Sequence, residues 1–146
     1  MFLSAGVIAL LVFADLRMRA RQFHARADVY RAWYEKPELK KIFAAEALLR
    51  ESAGLETRFK GGGFSAEAYA RDKRIAEARQ GVFIAESAAK QAYYWYKDVN
   101  DFFGSPPSSW AGLARDGASR AREQWLNDLK ARGIPFGKYQ LSAGEE

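Results

Sequence analysis

The sequence predicts an all-α protein. Apolar residues recur at three- and four-residue spacings along most of the chain, glycine and proline fall in a few clusters that punctuate it, and no stretch alternates cleanly enough for a half-buried strand. The expected architecture is a short N-terminal membrane-anchoring helix that continues into a basic collar, then amphipathic helices including one long rod-like helix, then an extended C-terminal tail. Residues 1–34 form the anchor and arginine collar; residues 35–146 form an extended helical domain, with helices near 38–53, 65–103 and 109–132.

The first element is the most informative. Met1 to Ala14 carry no charge, and the next seventeen residues carry five arginines, Arg17, Arg19, Arg21, Arg26 and Arg31. Buried arginine costs several kcal/mol, whereas arginine at the phosphate level of a bilayer is attracted. Phe2, Leu3, Val7, Ile8, Leu10, Leu11, Val12 and Phe13 are therefore expected to meet the acyl region, and Arg17, Arg19, Arg21 and Arg26 the lipid headgroups. Fourteen helical residues cover about 21 Å against a hydrocarbon core of about 30 Å, so length alone leaves a span open. Snorkelling of Arg17 and Arg19, and pairing of Asp15 with Arg19, lengthen the insertable stretch.

No Lys or Arg precedes the apolar run, and no A-x-A-like cleavage site follows it, which sets it apart from a secretory signal. A retained anchor keeping Met1 is expected. The positive flank then places the bulk of the chain on the matrix side of a mitochondrial inner membrane, or in the cytoplasm if the membrane is a bacterial inner membrane. No Gly or Pro occurs between Val7 and Lys36, so the helix should run through the collar to about Trp33 or Tyr34.

Pro37 and Glu38 suit the first turn of a second helix, whose stripe is Leu39, Ile42, Phe43, Leu48 and Leu49 and whose end lies near Gly54. Gly61, Gly62 and Gly63 centre a hinge: neither the GxxxxGK[ST] of a phosphate loop nor the GxGxxG of a dinucleotide turn is present. Ser65 caps the third helix. From there Ile75, Ala78, Val82, Ala85, Ala89, Ala92, Tyr96, Val99 and Phe103 follow one another at alternating spacings of three and four, a coiled-coil seam that implies one rod to Phe103. Its alanine middle permits close approach of another helix but buries little area per layer.

Tyr93, Tyr94, Trp95, Tyr96, Phe102 and Phe103 crowd the end of that rod. Four consecutive aromatics point all round a helix, so they divide between an adjoining segment and something outside the chain. Together with Trp110 and Trp125 they are the candidate partner interface. Gly104, Ser105, Pro106 and Pro107 break the chain, and Ser108 or Ser109 caps a last helix that stops at Gly133 and Pro135. Its stripe, Trp110, Leu113, Ala114, Ala118, Ala121, Trp125, Leu126 and Leu129, is a mate for the alanine seam. Arg115, Arg120, Arg122, Glu123, Asp128 and Lys130 read as a solvated mixed-charge face.

The chemistry these residues exclude is broad. There are no cysteines, hence no thiolate chemistry, and the single histidine, His24, precludes a His-rich metal site. The carboxylates lie among Lys and Arg, and the serines read as caps, so no catalytic residue is expected, nor any cofactor. His24, just beyond the apolar run, is the one position suited to axial ligation of a pigment or haem. The net charge of +5 comes largely from the collar, which argues against a nucleic-acid binder.

In overall plan the chain looks like the supernumerary subunits of respiratory, ATP synthase and photosynthetic complexes. The stretch SRAREQWLNDLKAR, Ser119 to Arg132, is similar to the C-terminal region of small cristae-organising subunits. The function expected is a non-catalytic, membrane-anchored accessory subunit that stabilises or assembles a larger bioenergetic complex, with lipid and other subunits as partners. A self-associating, membrane-tethered coiled-coil scaffold, including a cristae-organising role, is the alternative, and a pigment- or haem-contacting subunit the third.

Overall fold

The computed structural model describes residues 2–104, 109–135 and 137, with side chains from residue 6 onward. The described residues form five helices and no strand: α1 (Phe2–Glu35), α2 (Pro37–Lys60), α3 (Ala66–Ala85), α4 (Ala88–Phe103) and α5 (Ser109–Ala131). The all-α expectation holds. Pro106, Pro107, Ser108 and most of the expected C-terminal tail lie outside the described residues.

Two compact units divide the chain otherwise than at the expected 1–34 and 35–146 boundary: α2 and α3 make one (Glu35–Glu86), and α1, α4 and α5 make the other (Met1–Tyr34 and Ser87–Glu146). In the α2–α3 unit, α2 opens at Pro37, whose missing N–H costs a first turn nothing. It runs past the expected end at 53 to Lys60. Gly54 in the helix costs about 1 kcal/mol, but continuing buries Leu55 and stacks Phe59 on Tyr69 at 4.8 Å. The chain turns at Gly61–Gly63, where Gly62 takes φ +76°, a conformation glycine adopts without penalty. Ser65 Oγ accepts from the Ala68 N–H at 3.1 Å and opens α3 as expected.

The rod is not continuous. α3 ends at Ala85, Glu86 is extended (φ −65°, ψ 140°), and Ser87 Oγ accepts from the Lys90 N–H at 3.3 Å to start α4. The break also splits the seam. Ile75 and Val82 are exposed, because α3 turns Ala76 and Phe83 toward α2, and only the α4 half, Ala89, Ala92, Tyr96 and Val99, is buried. Lys40, buried to 7% exposure, crosses from α2 to donate to the carbonyls of Ile84 at 3.3 Å and Glu86 at 2.5 Å, over the Phe83 ring. A cation at these last carbonyls satisfies acceptors that the helix end leaves over and complements its dipole.

In the other unit the core consists of Ala20 and Ala27 of α1, Ala89, Ala92, Tyr93, Tyr96 and Val99 of α4, and Ala114, Ala121 and Trp125 of α5. Alanine and glycine let the backbones close in while the aromatics supply the area. Gly117 shows how tightly: a Cβ there would lie 2.8 Å from the Tyr96 ring, closer than any real contact. The last helix turns inward Ala111, Ala114, Gly117, Ala121 and Trp125, and leaves Leu113 of the expected stripe outside. It closes at Gly133 (φ +65°), whose N–H bonds the Lys130 carbonyl at 3.1 Å.

Candidate functional site

The site follows from the asymmetry of α1. From Ala20 to Tyr34 the helix contributes buried and half-buried side chains to the core with α4 and α5. Before Ala20 none of the described side chains belongs to that core. Val7, Ile8, Leu10, Leu11, Val12 and Phe13 are 44–70% exposed, all round the helix. The side chains of Phe2 and Leu3 lie outside the described residues. Six large apolar residues bare on one continuous stretch form the kind of patch that marks a contact surface.

The arginines divide as well. Arg17, Arg19 and Arg21 are exposed at the boundary between the bare and packed halves. Arg19 Nε pairs with Asp15 at 2.8 Å, the i,i+4 pairing expected, which lowers the cost of placing an acid beside an apolar segment. Arg26 instead lies over the Trp95 ring at 5.0 Å, tied to α4. No helix among the described residues is long and apolar enough to cross a membrane.

His24 and the aromatic cluster form the junction that holds α1. The His24 ring packs edge-on against Tyr96 and tilted against Trp110, both at 5.3 Å. Its Nδ1 is sealed from solvent, 3.1 Å from Asp28 Oδ2 but without hydrogen-bond alignment. Tyr96 donates to Asp28 Oδ1 at 2.6 Å, and Arg31 stands 3.6 Å from the same oxygen. Burial first, then this bond to a carboxylate, holds the Tyr96 phenol far above its ordinary range. Phe23 sits edge-on to Trp95 at 5.1 Å and to Phe103 at 5.3 Å. The pigment- or haem-ligand expectation for His24 thus meets a ring packed in a protein core, and no group of three metal-binding side chains exists among the described residues.

Of the candidate interface residues, Tyr93, Tyr96 and Trp125 are core, which corrects their assignment to a partner surface: α5 and α1 fold over them. Trp95, Phe103 and Trp110 pack against that core, half-buried. Tyr94 and Phe102 remain outside, 42% and 67% exposed. Sequence reasoning missed Lys40 and Gly117. Neither has a local signal: each is defined by a partner on another helix, 44 residues away for Lys40 and Ile84.

No protein family matches this chain, and no curated protein or solved structure is similar to it.

Proposed function

We propose that the chain is a non-catalytic, membrane-anchored helical accessory subunit that stabilises or helps assemble a larger bioenergetic membrane complex. The observation that carries the reading is the bare apolar half of α1, Val7 to Phe13, ending in a ring of exposed arginines. Dipping the N-terminal turns into acyl chains while Arg17, Arg19 and Arg21 stay among phosphates removes that apolar area from water without desolvating a cation. The bulk of the chain then lies on the arginine-bearing side, the matrix face of a mitochondrial inner membrane or the cytoplasmic face of a bacterial one. Tyr94 and Phe102, with Leu39, Ile42 and Leu49 of α2, are the exposed apolar residues offered to protein partners.

Alkaline extraction of membranes holding the tagged chain, followed by identification of the chains that co-purify in mild detergent, tests both halves of this reading. Retention in the pellet and a fixed set of membrane-complex subunits are expected; release with the soluble proteins contradicts it. The self-associating scaffold is favoured by one observation, the exposed Ile75 and Val82 of the seam. Its α4 half, Ala89 and Ala92, is covered by the chain's own helices. Cross-linking at position 82 of the isolated chain separates the readings: covalent dimers belong to the scaffold alone.

A further inference from the structure

A cleft of about 450 Å³ opens between α4 and α5 within their unit. Its charged and polar walls are Lys97 and Asp101 from α4 and Arg115, Ser119, Arg122 and Glu123 from α5. Positions 115, 119 and 122 share one face of α5 at the i, i+4, i+7 spacing, so the two arginines lie two turns apart, about 10 Å along the axis. Lys97 is already spent on Asp101, Nζ to Oδ2 at 2.7 Å, and the Ser119 hydroxyl on the Arg115 carbonyl at 3.3 Å.

The arginines are not spent. Neither has an ion-pair partner among the described residues, and Arg122 Nε is sealed from solvent with no hydrogen-bond partner. A guanidinium cannot shed its charge as a buried lysine or carboxyl can, so these two cleft-lining arginines remain full cations that no carboxylate among the described residues neutralises. The planar fork matches the oxygens of a phosphate. The volume exceeds what bare phosphate fills, and Tyr93 and Leu126 give the cleft apolar wall as well. The Glu123 carboxylate, which repels an anion, accepts hydrogen bonds from hydroxyls.

We infer that this cleft binds a polyol phosphate of the glycerol phosphate class, its phosphate on Arg115 and Arg122 and its hydroxyls toward Glu123. The ligand is either the soluble phosphate ester or the same chemistry as a phosphatidylglycerol headgroup. The inference is independent of the anchoring reading, because the site lies on α4 and α5 and its soluble arm needs no membrane.

The full chain in a neutral detergent is titrated with glycerol 3-phosphate and with inorganic phosphate by calorimetry. In parallel it is floated on phosphatidylcholine vesicles with and without phosphatidylglycerol. Saturable binding of glycerol 3-phosphate, tighter than inorganic phosphate, is expected to weaken roughly tenfold or more in Arg122→Gln and to stay unchanged in Arg74→Gln, which lies on α3. Where the soluble ester does not bind but phosphatidylglycerol-dependent flotation falls in Arg122→Gln, the lipid headgroup is the ligand. Should Arg122→Gln lose its helicity, the exposed Arg115→Gln decides on the same readouts. The proposal is overturned if neither ligand binds in an arginine-dependent way, or if binding is the same in wild type and both cleft variants.

Discussion

The two halves of α1 are one uninterrupted helix with opposite requirements. From Ala20 to Tyr34 small residues and aromatics alternate, Ala20 and Ala27 against Phe23, Tyr30 and Tyr34, so that one face closes on α4 and α5. From Val7 to Phe13 the residues are apolar without exception, yet every one is exposed. Hydrophobicity alone does not decide burial within the protein. A stripe of small residues opposite aromatic knobs makes a protein core, whereas a cylinder apolar on all sides suits a solvent that is apolar on all sides.

Substitutions in the packed half's partners break this contrast most strongly. Gly117→Val places side-chain carbon inside the space of the Tyr96 ring and is expected to cost about 2–3 kcal/mol, read as a lower midpoint in urea unfolding. The membrane association proposed for the bare half should survive in the fraction that stays folded. Tyr96→Phe removes the hydroxyl bonded to Asp28 and should cost about 1–1.5 kcal/mol, less than a fully buried charged pair because Asp28 keeps water, His24 and Arg31 nearby.

The same hydroxyl carries a pH signature. Its folded pKa is raised above the ordinary 10.0, so the unfolded chain gives up this proton first. The contribution to stability is complete below about pH 10 and declines as pH rises further. Urea midpoints measured across that range should fall more steeply in wild type than in Tyr96→Phe. Arg26→Ala, which removes the cation over Trp95, is expected to cost about 0.5–1 kcal/mol. Leu10→Ser with Leu11→Ser should change stability in detergent by less than about 0.5 kcal/mol, since neither residue touches the core.

Local punctuation was legible in the sequence. Pro37, the Ser65 cap and Gly133 mark helix ends where the structure has them, because each acts through its own backbone. The break at Glu86–Ser87 was as local, yet the continuous three-and-four repeat from Ile75 to Phe103 masked it; a repeat in sequence does not require one helix to realise it. The end of α2 was set by what lies beyond Gly54, namely Leu55 and the Phe59–Tyr69 stack, which depend on the return of α3. In the site, the exposed apolar run and collar follow from composition. The inward turn of Tyr93, Tyr96 and Trp125 does not, since four successive aromatics leave their division between core and surface to the packing of α5. The arginine cleft read as an ordinary solvated face for the same reason: spacing along α5 shows that Arg115 and Arg122 align, but only α4 makes a wall opposite them.

Amide hydrogen exchange of the full chain with and without phospholipid vesicles tests the division of α1 most directly. An unsupported helix end opens readily, whereas amides under a packed core exchange slowly. Protection over 20–34 is therefore expected in both conditions, and protection over 7–16 only when vesicles are present. Equal exchange over 7–16 with and without vesicles would contradict the account, as would vesicle-dependent protection that falls on 20–34 instead.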